Sequence, residues 1–270
     1  TSTSYTKQPN FHSNTGLLFY QEQKFFNRLQ EIDLAQSRLT EAIDIDESMM
    51  HASYCGNAII YLSDHDGSYR IWKQDRDTGK SVALTPRSQR AYAGMCDDKG
   101  EYLTYMGACS PSNREEQLCL LHIPSATQID LDVNDHLSGI PTWEGDQVLF
   151  PRYIGQASEV VQLHKSGKLT ARYSLPVTAV RVERDPAQSA FILSTAEKAG
   201  LWRWSVVDQE LSLLNSNIGG AHGSLWDVGD KGLLYVENSA EQPMLIMEPW
   251  DEGEENLSLI HISEPTRLDG

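Results

Sequence analysis

Residues 64–86 read DHDGSYRIWKQDRDTGKSVALTP. The segment parses as turn, strand, turn and strand: Asp66-Gly67 opens it, RIWKQDR extends, RDTGK turns, and VAL runs into a Thr85-Pro86 stop. Immediately before it, the apolar run AIIYLS follows the turn signal CGN. Similar runs recur along the chain. Aligned on Tyr61, they carry Tyr20, Tyr105, Phe150, Leu193 and Tyr235, with separations of 41, 44, 45, 43 and 42 residues. Each is preceded by Gly-, Asn- or Asp-containing turns, residues that supply the positive φ of tight hairpins.

A second strand follows each run: RLQEIDL, RIWKQDR, QLCLLHI, EVVQLHK, GLWRWSV and PMLIMEP. A further turn and a closing segment such as RLTEA, VALTP or ARYSL complete most units. Four short strands on a period of 40 to 45 residues are the pattern of a propeller blade. The sequence therefore predicts an all-β β-propeller of six four-stranded blades, at about 6–45, 46–86, 87–131, 132–175, 176–215 and 216–256. FFNRLQEIDLAQSRLTEA has helical propensity, but its place in the repeat assigns it to strands. Trp72, Trp202 and Trp204 fall at strand positions and are expected to pack between blades.

With 22 basic and 38 acidic residues the net charge is −16, which repels phosphate backbones and argues against nucleic-acid binding. No stretch has the roughly 18 apolar residues of a membrane span, so membrane contact by this domain is not expected. The chain opens at Thr1 rather than Met and is read as part of a longer protein. Cys109 and Cys119 flank the hairpin loop SPSNREEQL. They admit two readings, a cross-strand disulfide or small buried thiols between strands. Residues 257–267, LSLIHISEPTR, fit no repeat and resemble the translation of a transposon-type sequencing adaptor. Residues 257–270 are accordingly expected to be a non-native tail that makes no functional contact.

Tests for chemistry fail at named positions. DTGKS lacks the earlier glycine of a phosphate loop, since position 74 is Gln, and DHDG lacks the later ligands of a calcium loop. There is no GxSxG elbow, GGAHGS is a connection rather than an oxyanion loop, and the histidines have no metal spacing. No catalytic residue, metal or cofactor is expected.

The stretch YLSDHDGSYRIWKQDRDTGKSVALT resembles the repeat of TolB-like propellers, in which a DG turn, an IW strand, a TG turn and a closing LT recur. Asp66-Gly67, Ile71-Trp72, Thr78-Gly79 and Leu84-Thr85 match, and Leu39-Thr40 keeps the closing pair. Within that superfamily the divergent, Gln-rich blades look most like the periplasmic propeller of membrane-anchored winged-helix regulators of the ToxR/CadC-like group. The resemblance implies a non-catalytic extracytoplasmic sensory domain. Two further contexts compete: the propeller of a prolyl-oligopeptidase-type serine peptidase, and a free-standing periplasmic scaffold. In a propeller, the residues just before each innermost strand converge at one end of the channel. That reasoning nominates Gln8, His51, Tyr92, His136, Arg181 and His222 as rim contacts for a protein, peptide or small polar ligand.

Overall fold

The structure, a computed structural model, describes residues 4–12, 17–24, 32–33, 38–39, 49–64, 66–110, 115–133, 139–154, 157–186, 188–216, 218, 226–229, 231–238, 243–250 and 257–261. The chain divides into two compact units, Thr1–Ile32 with Leu39–Gln128, and Asp33–Arg38 with Ile129–Gly270.

In the first repeat, β1 (Ser4–His12) pairs with β2 (Leu17–Lys24), and β3 (Ile32–Asp33) with β4 (Arg38–Leu39). Four-stranded sheets follow in the first unit. The first is β5 (Met49–Cys55), β6 (Ala58–Ser63), β7 (Arg70–Asp75) and β8 (Ser81–Ala83). The next is β9 (Ala91–Cys96), β10 (Tyr102–Gly107), β11 (Gln117–His122) and β12 (Thr127–Ile129).

The second unit carries three more. They are β13 (Thr142–Glu144) to β16 (Leu169–Leu175), with β14 (Gln147–Ile154) and β15 (Ala157–His164) between; β17 (Ala179–Arg184), β18 (Ala190–Thr195), β19 (Leu201–Ser205) and β20 (Leu211–Asn215); and β21 (Trp226–Val228), β22 (Gly232–Asn238), β23 (Pro243–Pro249) and β24 (Leu257–His261). Each sheet is an antiparallel meander in chain order, so every connection is local. Among the described residues there are thus five four-stranded sheets and not the expected six; the first repeat shows its four strands as two separate pairs. The stretch read as foreign supplies β24, which completes the last sheet against β23.

Apolar runs occupy the second strand of each sheet because a blade between two others buries both faces. All six residues of β18 are buried, and its alternation decides where each goes. Leu193 packs with Leu149, Val160, Phe191 and Trp204, whereas the adjacent Ile192 packs with Leu201, Trp226 and Tyr235. Trp204 stacks on its cross-strand neighbour Phe191 at 6.0 Å within one sheet, and it shares a core cluster with Leu149 and Val160 of the preceding sheet, the packing between blades expected of it.

The repeated turn chemistry has visible causes. Thr85 Oγ1 accepts from the Ile71 amide at 3.0 Å, continuing the ladder just past the end of β8, and the Thr85 carbonyl accepts from Arg70 Nε at 2.7 Å. That explains the closing Leu-Thr. Asp66 holds Arg70 at 2.6 Å. Two residues ahead of DTGKS, Asp75 Oδ1 accepts from the Thr78 amide and hydroxyl, both at 2.8 Å, so the segment is a side-chain-capped turn.

Two hairpin turns one repeat apart lie back to back in the first unit. Gly56 and Gly100 both have positive φ (59° and 69°), and a Cβ on Gly100 would sit 2.6 Å from the Cys55 carbonyl oxygen. Gly100→Ala should therefore cost about 2 kcal/mol or more, through left-handed strain plus a backbone clash, measured as a lower urea midpoint at unchanged slope.

Candidate functional site

Innermost strands carry a shared irregularity. Lys7 and Asn10 pair with Gln21 and Phe19, Met50 and Ser53 with Leu62 and Ile60, and Tyr92 and Met95 with Met106 and Thr104. In each case two residues stand opposite one, and that one is the aligned tyrosine: Tyr20, Tyr61 or Tyr105. Bulges of this kind bend a strand and re-aim its side chains. Two bulge residues, His51 and Ala93, hold φ near +50°, a region that costs a non-glycine residue on the order of 1 kcal/mol.

Gln8 and His51 thus lie inside the innermost strands, at the bulges, and not ahead of them as expected. Tyr92 is the second residue of β9 and Arg181 the third of β17. His136 and His222 fall outside the described residues. Tyr92 belongs to the first unit and Arg181 to the second.

In the first unit, Tyr92 lines a half-open cavity of about 290 Å³ with Leu62, Tyr69, Arg90, Ala91 and Glu116. Three connections build it: the end of β6 and the approach to β7, the residues leading into β9, and the β10–β11 loop. Tyr92 Oη donates to Glu116 Oε2 at 2.9 Å. Burial, with that hydrogen bond in support, pushes the Tyr92 phenol up to about 12, so it stays a donor at physiological pH. The loop bearing Glu116 is closed by a Cys109–Cys119 disulfide, Cα–Cα 5.3 Å. The Arg90 carbonyl accepts from the Ala108 amide at 3.2 Å; this close approach needs Gly107, where a Cβ would lie 2.1 Å from that oxygen. The walls are therefore held by covalent and backbone contacts.

In the second unit Arg181 is buried and clamps the short strand β21. Its guanidinium donates to the Trp226 carbonyl at 2.5 Å and to Asp227 Oδ1 at 2.6 Å, pairs with Glu183, and lies 4.8 Å from the Trp226 ring centroid. Glu183 Oε2 accepts from the Val228 amide at 3.0 Å. Burial raises Glu183 to about 8, although Arg181 pulls it down. Nearby, Arg184 meets Glu144 of β13 at 3.3 Å. This arrangement joins neighbouring sheets. It leaves Arg181 only 7% exposed, with its hydrogen-bonding capacity turned on β21.

Sequence reasoning reached Tyr92 but not Tyr69, Arg90 or Glu116, which the fold gathers from separate connections. The flanking cysteines were the available pointer to Glu116. A second disulfide, Cys55–Cys96, was also missed; its cysteines end β5 and β9 and stand 41 residues apart. Among the described residues no group of three or more His, Cys, Asp or Glu could hold a metal ion, and no helix is long and apolar enough to cross a membrane.

With the geometry established, likeness to solved structures is informative. TolB of Acinetobacter baumannii superposes with a TM-score of 0.62 at 10% identity, over 82% of this chain and 57% of that one. TolB of Agrobacterium tumefaciens gives 0.59 at 10% identity, over 86% and 88%. The fold is a TolB-like β-propeller. A puromycin-hydrolyzing peptidase of Mycobacterium tuberculosis also matches, with a TM-score of 0.54 at 10% identity over 90% of this chain and 44% of that one. The chain thus spans little more than half of the Acinetobacter protein and less than half of the peptidase. No protein-family model and no curated sequence matches it.

Proposed function

We propose that this chain is a non-catalytic binding propeller of six blades that works outside the cytoplasm, as the sensory domain of a membrane-anchored transcription regulator. The observation that carries the binding role is the Tyr92 cavity, a concave, disulfide-framed site with few polar groups set around an apolar floor. Two disulfides fit an oxidising compartment, where such bridges persist. The ligand, whether protein, peptide or small polar molecule, would approach the ends of the innermost strands. Because Arg181 is a structural clamp, Tyr92 is the better probe of binding.

One specific observation favours a second reading. An acylaminoacyl peptidase structure superposes over 95% of this chain and 52% of its own, with a TM-score of 0.51, so a propeller attached to a hydrolase is compatible. The natural coding sequence on either side separates the two. A winged-helix domain and one membrane span upstream support the sensory reading. A hydrolase domain with a GxSxG elbow downstream overturns it in favour of the peptidase reading.

A further inference from the structure

We propose that the cavity lined by Leu62, Tyr69, Arg90, Ala91, Tyr92 and Glu116 binds a free α-amino acid with an apolar side chain, its carboxylate against Arg90 and its ammonium against Glu116. The inference rests on the reading of the chain as a binding module and names the ligand class.

The size sets the first limit. At about 290 Å³ the cavity lies at the small end of ligand sites, which run from about 300 to 1,000 Å³. It holds roughly ten waters' worth of space, matching a molecule of about nine to twelve non-hydrogen atoms. The polar set gives the second limit: one basic and one acidic residue, both exposed, line the same small space, and the charge of Arg90 acts on the Tyr92 phenol that hydrogen-bonds Glu116. A ligand of single charge would face one like charge; a zwitterion satisfies both. Arg90 offers the paired donors that suit a carboxylate. Glu116, already accepting from Tyr92, has its other oxygen for an ammonium, and the flanking phenol ring favours a cation. Leu62 and Ala91 provide an apolar floor, and Tyr69 and Tyr92 bring apolar ring faces. Rigidity completes the case, since the Cys109–Cys119 bridge and the Gly107–Arg90 approach fix two walls before any ligand arrives.

Calorimetric titration of the full chain with L-leucine, L-leucinamide and N-acetyl-L-leucine tests the assignment. The first derivative lacks the carboxylate and the second the ammonium. L-Leucine should bind saturably, and each derivative should bind about tenfold more weakly or worse, the value of one charged hydrogen-bonded contact. Arg90→Gln should erase the preference for L-leucine over its amide, and Glu116→Gln the preference over the N-acetyl compound. Both side chains are exposed, so melting temperatures should stay unchanged and folding does not confound the result. Absence of L-leucine binding, or equal binding of all three compounds by the parent chain, overturns the proposal. The flanking-sequence test is independent of these titrations, so this site can fail while the binding-module reading stands, and the reverse.

Discussion

Replacing Cys55 and Cys96 together by alanine should lower the unfolding free energy by about 4 kcal/mol, the loop-closure value for a bridge between residues this far apart. The bridge spans 41 residues, one full repeat, and joins the ends of β5 and β9 beside the stacked turns of Gly56 and Gly100. The two sheets are otherwise joined by face-to-face packing of residues such as Ile60, Ile71, Leu103 and Tyr105, and by a hydrogen bond from Lys73 Nζ to the Gly100 carbonyl. The Cys109–Cys119 bridge, across ten residues, supplies an internal comparison. Its double alanine variant should lose nearer 3 kcal/mol and loosen the loop that carries Glu116. Urea unfolding of both variants checks the ordering. Equal losses, or a loss below about 1 kcal/mol for the first, would contradict the role given to the inter-sheet bridge.

The second large effect is a pH-dependent weakness at Glu183. Its folded value of about 8 stands above the ordinary 4.5, because burial outweighs attraction to Arg181. The folded state therefore binds more protons than the unfolded chain between those values, and stability falls as pH rises. The contribution is fully present below about 4.5 and lost as pH climbs through about 8. At about 1.4 kcal/mol per pKa unit, the loss is on the order of a few kcal/mol. Glu183→Gln mimics the protonated carboxyl. It should match the parent near pH 5 and exceed its melting temperature near pH 9. Arg181→Ala should cost about 3 to 5 kcal/mol at pH 9, where Glu183 is ionised and loses its buried counter-charge, and less near pH 5, where the contacts to β21 are lost but Glu183 is neutral. A Glu183→Gln variant less stable than the parent at pH 9 would show that the ion pair, not desolvation, dominates there.

The repeat was legible because its signals are local. Turn residues such as Asp66-Gly67 and Thr78-Gly79 fix hairpins, and a strand buried on both faces must be apolar throughout, as AIIYLS and AFILST are. The bulges were not legible, because His51 and Ala93 adopt a conformation that their side chains do not advertise. Arg181 was expected just ahead of an innermost strand, but it lies inside β17 and contacts Trp226 and Asp227, 45 and 46 residues on. The same distance problem hid the cavity: Tyr69, Arg90 and Glu116 meet only when adjacent blades pack. The Cys55–Cys96 bridge had a signal, a spacing equal to the repeat, since equivalent positions in neighbouring blades lie side by side.

Binding of an apolar amino acid in the Tyr92 cavity is checked by amide hydrogen exchange of the full chain, with and without saturating L-leucine. Slowed exchange is expected only in the segments around Leu62–Tyr69 and Arg90–Tyr92 and at the amides following Glu116. Protection centred instead on the outer strands β8, β16 or β20, or no protection anywhere, would contradict it.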